Sequence, residues 1–593
     1  MALCRQMTQD REPTDMRGQL GVREGLLYAV LAMAITFGAS LKLLPGVIAG
    51  GLINPDSYMR LVRLEEGLRH HDVAYVVARD GSGAGTLLHW SHLIDTLLLL
   101  LAAPFRLAMD THSALHAAAM VFGPLCMGGL GVALAWAVAP VANRSWLWLT
   151  PIAASLSAAI ASYGLVGVAH HHVPLLVVAA MVCGYALRGA LGLARSGSGL
   201  AMGTWAALGI WLSPESMPFT LIGFGGLWLA WLLTPRPGLA SMIAETAAAF
   251  AIVVIVAFVA DPPYAGFGSV EIDRLSVVYV GLAIVISCTG VAAKLLDRAG
   301  RTRMIAGIAV PVLCLAAWLA CFPAVLRGPS GLMSAQDTHA MLDNIVEMMP
   351  VHGVVEAAEY LLTGSLAAIA LAWMAVIRRS PLLAYASVCA CVLVALGAMH
   401  VRFSAYSAAL GAVMLPILIA RCSAYLSDWP DAGQAAIRVG LMAVFVLLPC
   451  GIALPSARAS TDRAAPSCSL DDALSLLADH AGQVVLTNPN DTPELLYQTR
   501  VLTVGSLYHR NVAAFMRLRA AWRSEPSETI PAAVRATGAS LVLFCPSRAR
   551  STMVTDLPAN TLMDRLNQGY VPPWLLKLGE NRRSGYLLYE VMP

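Results

Sequence analysis

The sequence predicts a polytopic α-helical membrane protein of about 13 transmembrane helices, with a small extracytoplasmic α/β domain at its C-terminal end. Three observations carry this. Hydrophobic residues fill 58% of the 593 positions and charged residues only 13%, against about 25% charged in a soluble domain. Apolar runs of roughly 20 residues, the length that crosses a bilayer, recur from residue 24 to residue 455. After residue 456 the material changes to short apolar strands alternating with amphipathic helices, the pattern of an α/β layer. A net charge of +3 gives no case for a nucleic-acid partner.

Residues 1–23 carry both charge signs and lack a small-residue cleavage site. They read as a cytoplasmic tail and not as a removed signal. The spans fall at about 24–44, 113–140, 145–165, 173–192, 199–213, 217–234, 240–260, 275–294, 304–325, 354–377, 381–399, 403–420 and 438–455. Counted this way, the basic loops share one side: Arg188 and Arg195, Arg236, Lys294 to Arg303, Arg378 and Arg379, and Arg421. Loops rich in Lys and Arg stay in the cytoplasm. The apolar stretch 96–108 would put the tail and these loops on opposite sides if it crossed, so it is expected to lie at the interface. The outer side then holds loops 45–111, 166–172 and 326–353 of a membrane domain spanning 24–455, and the whole of 456–593. The expected location is a bacterial inner membrane, with a cytoplasmic N-terminus and a periplasmic C-terminal domain.

In 456–593, helices are expected at Ser469–His480, Glu494–Gln498 and Val512–Trp522, and strands at Gln483–Thr487, Arg500–Val504 and Ser540–Cys545. Trp574–Leu578 and Gly585–Val591 suit a closing hairpin. No glycine-rich phosphate loop opens any of these helices, so no nucleotide is assigned. Ten of the twelve cysteines precede residue 460, most of them inside apolar runs. Cys468 and Cys545 remain in the outer domain, where an oxidising compartment permits a bridge between them.

Polar groups gather on the outer side. Asp56 opens a charged helix after the first span, in Asn54-Pro55-Asp56-Ser57-Tyr58. The alternative for Asp56 is a helix cap. His170, His171 and His172 end the second outer loop, either as interfacial side chains or as ligands. Asp343-Asn344-Ile345-Val346-Glu347-Met348-Met349-Pro350 lies in the long loop, and Arg402-Phe403-Ser404-Ala405-Tyr406 at the mouth of a later span. Carboxylates and imidazoles that converge can hold a divalent ion, and an arginine beside them can pair with phosphate. Arg60, His89 and Glu215 are candidates for contacts with a sugar or acceptor, Glu215 alternatively as a cap.

Taken in order, these motifs resemble the catalytic subunit of oligosaccharyltransferases of the single-subunit bacterial and archaeal type. Asn54 to Tyr58 is similar to the family's first-loop aspartate motif, and Asn344 to Pro350 to its S-V-S-E motif with trailing proline. Arg402 to Tyr406 looks like the segment whose arginine meets the lipid-linked phosphate. The resemblance covers roughly residues 25–455 and implies the GT-C membrane glycosyltransferase fold. Two departures stand out. The family's second loop carries an acidic pair, whereas Val168-Ala169-His170-His171-His172-Val173 has none, which shifts metal ligation toward imidazole. No W-W-D-Y-G-like segment is present, so recognition of a protein sequon is not carried over.

The resemblance implies transfer of a sugar or oligosaccharide from a polyprenyl phosphate or diphosphate to a glycan, lipid or protein acceptor on the periplasmic side. Asp56 and Glu347 would be catalytic and, with His170 and His172, would hold a divalent metal, Mg or Mn. Arg402 and Tyr406 would bind the donor phosphate. The alternatives are a flippase or transporter of lipid-linked glycans, a polysaccharide polymerase or ligase, and a scaffold whose outer domain binds a partner. Transporters tend to place polar groups at the bilayer midplane; here they gather at one face, which favours an enzyme.

Overall fold

The computed structural model describes residues 19–298, 300–328, 333–342, 345–450, 468–546, 560–581 and 584–592. Residues 1–18 of the expected tail lie outside the described residues, as do Asp343 and Asn344 of the long-loop motif.

The apolar runs become a helical body. It opens with α1 (Val22–Ser40), and the loop 45–111 then carries α2 (Pro55–His70) and α3 (His92–Phe105). The long α4 (Thr111–Val138) follows. Next come α5 (Leu149–Leu156), α6 (His172–Leu191), α7 (Ser198–Leu212), α8 (Met217–Leu233), α9 (Leu239–Ala260), α10 (Val277–Leu296) and α11 (Arg301–Cys321). After the long loop, α12 (Gly353–Tyr360) and α13 (Leu362–Arg378) precede α14 (Pro381–Met399), α15 (Ser404–Tyr425) and α16 (Asp431–Met442).

Among the described residues, ten helices are long and apolar enough to cross a membrane, and α12 with α13 makes an eleventh bent by 64°. The two other expected spans are shorter. The run 145–165 breaks at Ser157 into α5 and the four-residue helix Ala158–Ala161, and α7 has 15 residues. The apolar stretch at 96–108 lies mostly in α3, whose 14 residues reach about 21 Å, short of the ~30 Å hydrocarbon layer. Ile94, Asp95, Leu98 and Ala102 form its buried face, while Leu97 and Leu100 are exposed.

Helices in lipid associate where small residues let backbones approach. Gly203 of α7 is such a point, because a Cβ there would lie 2.2 Å from the Thr246 carbonyl oxygen of α9.

The C-terminal segment forms the expected α/β layer. Strands β3 (Val484–Leu486), β4 (Leu502–Thr503), β5 (Leu541–Phe544), β6 (Leu575–Asn581) and β7 (Tyr586–Val591) make one sheet in the order β4-β3-β5-β7-β6; β1 (Val76–Val77) and β2 (Thr86–Leu87) form a separate hairpin in the loop 45–111. β3 is parallel to β4 and β5, and β6 and β7 close the edge as an antiparallel hairpin. Helices α17 (Thr492–Gln498) and α18 (Val512–Arg523) stand where the sequence puts them. The helix Leu562–Asn567 was not anticipated. Trp522, buried against Phe544, donates its indole N–H to the Thr487 carbonyl at 3.1 Å. Cys468 and Cys545 form a disulfide.

This domain is docked on the loop 45–111 through buried polar ties. Arg79 donates to the Leu496 and Thr499 carbonyls at 2.5 and 2.8 Å, and its own carbonyl accepts the Thr503 N–H at 3.0 Å. The buried Asp80 carboxylate accepts the hydroxyls of Thr86 (2.6 Å), Thr503 (2.9 Å) and Ser506. The result holds the loop Gly505–Arg510 against the end of the helical body that carries α2.

Candidate active site

The N-terminus of α2 is capped by Asn54, whose Oδ1 accepts the Ser57 N–H at 2.8 Å and the Ser57 hydroxyl at 2.6 Å. Pro55 takes the first helical position, where a missing N–H costs nothing. The capping role weighed for Asp56 therefore belongs to its neighbour, and Pro55 was the signal for it: proline at the first position puts the cap one residue earlier. The Asp56 carboxylate turns to the site instead. Its Oδ2 lies 2.6 Å from His170 Nε2, and its Oδ1 accepts the Tyr508 hydroxyl at 2.8 Å.

The loop 166–172 is fastened to the same turn. Ala169 N–H donates to Ser57 Oγ at 2.8 Å, and Ile53 N–H to the Gly167 carbonyl at 3.3 Å. Gly167 has φ of +85°, and a Cβ there would sit 3.1 Å from both methyls of Val47. Only glycine suits that backbone and that gap. The chain then delivers three buried histidines at the start of α6, their ring centroids 4.2 to 4.7 Å apart.

Glu347 arrives from the long loop. Val401 N–H donates to the Met349 carbonyl at 3.0 Å, Val351 N–H to Ala398 at 2.9 Å, and His400 Nδ1 lies 2.7 Å from the Met348 oxygen. These bonds lash the glutamate's segment to the corner before α15, where Arg402 stands. Glu347 Oε2 accepts the Tyr163 hydroxyl at 3.3 Å and lies 3.8 Å from His172 Nε2, while Oε1 is 3.9 Å from Arg402 Nη1. Arg402 Nη2 pairs with Glu215 Oε1. Glu215 is itself no cap, since Ser213 Oγ accepts its N–H at 3.3 Å. Tyr406 stacks on Phe219 at 3.9 Å, and its buried hydroxyl has no hydrogen-bond partner.

The structure therefore joins Asp56, His170, His172, Glu347, Arg402 and Glu215 in one chain of contacts. Two of the expected contact residues lie elsewhere. Arg60 is 1% exposed, pairs with Asp95 at 2.7 Å and packs over Trp90. His89 belongs to a separate cluster with Asp273 and His509. Tyr163 and Tyr508 were missed. Each is an unremarkable residue in the sequence, and Tyr508 lies 452 positions from its partner.

Burial raises the pKa of both carboxyls, but the neighbours reverse this. The His170 hydrogen bond and charge, with the Tyr508 hydroxyl, hold the Asp56 pKa below the ordinary carboxylate range. The Arg402 charge and His172 hold that of Glu347 well below it. Burial and the adjacent His170 and His172 push His171 far down, so its imidazole is neutral at pH 7. Burial, with the Asp56 charge, pushes the Tyr508 phenol well up.

The donor set fits a metal. His170 Nδ1, His171 Nε2 and His172 Nε2 are buried without a hydrogen-bond partner, and one ligand nitrogen from each of the three lies within 4.8 Å of the others. Orphaned buried nitrogens are costly, and three imidazoles flanked by two carboxylates are a ligand set for a divalent ion.

No protein-family model matches the sequence, and no curated protein matches it. Solved structures do. The apo oligosaccharyltransferase of Archaeoglobus fulgidus superposes with a TM-score of 0.69 at 11% identity, over 88% of this chain and 70% of that one. The chain has the fold of an oligosaccharyltransferase. The A. fulgidus protein AglB in complex with an inhibitory peptide and a dolichol-phosphate gives 0.64 at 10% identity, over 88% and 69%. The A. fulgidus oligosaccharyltransferase with Zn and sulfate gives 0.64 at 12%, over 88% and 68%. The expected GT-C fold class, a multi-pass helical body with a C-terminal sheet domain, is thus borne out.

Proposed function

We propose that this chain is a membrane glycosyltransferase of the oligosaccharyltransferase type, moving a sugar or oligosaccharide from a polyprenyl phosphate or diphosphate to an acceptor on the outer face of the membrane. The observation that carries the reading is the convergence of Asp56, His170, Glu347 and Arg402 from four separate segments, linked by contacts of 2.6 to 3.9 Å and by the rings of His170 and His172, 4.2 Å apart between centroids. The relatives' complexes with a dolichol-phosphate and with Zn and sulfate support a lipid-phosphate donor and a metal here.

Asp56, ionised at neutral pH, accepts a hydrogen bond from the acceptor nucleophile and orients it toward the anomeric carbon. Arg402 faces the other side of the reaction, where the bond from that carbon to a phosphate oxygen breaks and leaves an anion. Its guanidinium, with the free Tyr406 hydroxyl, stabilises the charge as it develops. Glu347 and Glu215 hold Arg402 in place. Asp56, Glu347, His170, His171 and His172 would hold the divalent ion. When bound, that ion supplies Lewis-acid stabilisation of the leaving phosphate. Three imidazoles move the preference from Mg toward Mn or Zn, because hard Mg takes oxygen ligands.

Asp56→Asn and Glu347→Gln test this. Neither residue lies in a membrane-crossing helix, so both variants should stay folded and lose transfer from a labelled polyprenyl-linked sugar by at least a hundredfold, the scale of about 3 kcal/mol. Full transfer by Asp56→Asn would end the proposal.

A further inference from the structure

A second group of ligand-type side chains lies outside the Asp56–Glu347 site, where three segments distant in sequence meet. His89 comes from the loop after β2, Asp273 from the loop between α9 and α10, and His509 from the C-terminal domain. One ligand atom from each lies within 4.8 Å of the other two. His509 Nε2 is 2.7 Å from Asp273 Oδ2, and the two imidazoles are 4.5 Å apart between centroids. His89 is half-buried and makes no hydrogen bond to another described residue.

The charges around the group favour a cation. Asp273 and Glu271 are both buried, and both face one guanidinium. Arg510 Nε lies 2.7 Å from Asp273 Oδ2, and Nη2 pairs with Asp273 Oδ1 and Glu271 Oε2. Two carboxylates against one arginine leave one carboxylate charge for the imidazole side of the group. A purely structural ion-pair cluster would need Asp273, Arg510 and His509. In such a cluster His89, from a third segment, would only pack its ring on Trp90 and His509, with no hydrogen bond to another described residue.

We propose that His89, Asp273 and His509 form a divalent metal site of the zinc class that clamps the C-terminal domain to the helical body. Two imidazoles and a carboxylate suit Zn2+ rather than Mg2+ or Ca2+. Arg510 and Glu271 orient the carboxylate from behind, as the outer partners of a metal ligand do. Binding replaces the proton through which His509 now bonds Asp273. The site is independent of the glycosyl-transfer reading.

Full-length protein in detergent, stripped with EDTA and titrated with Zn2+, tests it by bound metal per chain and by thermal melting. His89→Ala breaks no hydrogen bond or ion pair, so its metal-free melt should match the wild type. At equal free Zn2+ it should bind one equivalent fewer and gain less melting temperature from the metal. Asp273→Asn should lose the same equivalent, and if that variant does not fold His89→Ala decides alone. A His170→Ala, His172→Ala double variant should lose a different equivalent, which separates failure of the catalytic-metal reading from failure of this one. Zn2+ uptake by His89→Ala equal to that of the wild type overturns the proposal.

Discussion

Tyr508→Phe is the substitution that most directly tests how the C-terminal domain serves the site. The phenol donates to Asp56 Oδ1 at 2.8 Å, while its ring stands edge-on to Trp90 at 5.3 Å. Phenylalanine keeps the ring and removes only the donor. A hydrogen bond to a charged group is worth about 1.5–3 kcal/mol. At 1.36 kcal/mol per factor of ten, kcat/KM should fall about 10- to 150-fold if that bond holds Asp56 in its reacting orientation. The pH profile adds a second reading. Burial raises the Asp56 pKa, and the His170 and Tyr508 hydrogen bonds bring it below the ordinary value. Loss of one donor moves it back up, so the acid limb of kcat/KM should shift to higher pH. Transfer from a labelled polyprenyl-linked sugar in nanodiscs, measured from pH 4 to 8, reads both. A Phe variant with wild-type kcat/KM and an unmoved acid limb would refute the reasoning.

Replacing Cys468 and Cys545 by Ser opens a bridge with a sequence separation of 77. The loop-closure relation gives about 4.5 kcal/mol of lost stability, read as a lower urea midpoint for protease resistance of residues 468–592 in the intact chain. Asp261 is buried, which raises its pKa, but the His92 hydrogen bond and charge together with Arg274 bring it down to about 2. Its ion pairs thus contribute about 2 kcal/mol above the unfolded carboxylate pKa, and this is lost as pH falls from about 4 to 2. Asp261→Asn should therefore melt well below wild type at pH 7 and close to it at pH 2.5. For sidedness, a cysteine at Gly328 should react with an impermeant thiol reagent in intact cells and one at Gly300 should not. Ser506 is unsuitable as an outer probe because it is buried against Asp80, and Gly569 replaces it.

The helical body was legible because its cause is local. A bilayer demands a continuous apolar run, and the runs at 173–192, 240–260 and 381–399 became helices with nearly those bounds. Where a run carried a breaker the reading was less sharp. The stretch 145–165 broke at Ser157, whose backbone is extended with ψ of 120°. The strands of the C-terminal layer were equally visible, since Leu541–Phe544 and Val484–Leu486 are unbroken apolar segments bounded by turns.

The site was partly legible for a different reason. Asp56, Glu347 and Arg402 lie in short motifs, and each motif contains the residues that position it, as Asn54 and Pro55 do for Asp56. Ser57 and Gly167 show the limit. They fasten the second loop to the first through contacts more than a hundred positions apart, and nothing in their local spacing says so.

By itself, then, the sequence determined which segments are apolar enough to span, which ends carry the basic loops, and which polar residues stand together at the other end. These are properties of neighbouring residues, set by transfer between water and hydrocarbon. Tertiary packing alone decided that Tyr508 would reach Asp56, that Glu347 would share Arg402 with Glu215, and that His89, Asp273 and His509 would meet. Such contacts depend on the directions of side chains on elements brought together by folding, and no periodicity along the chain encodes them.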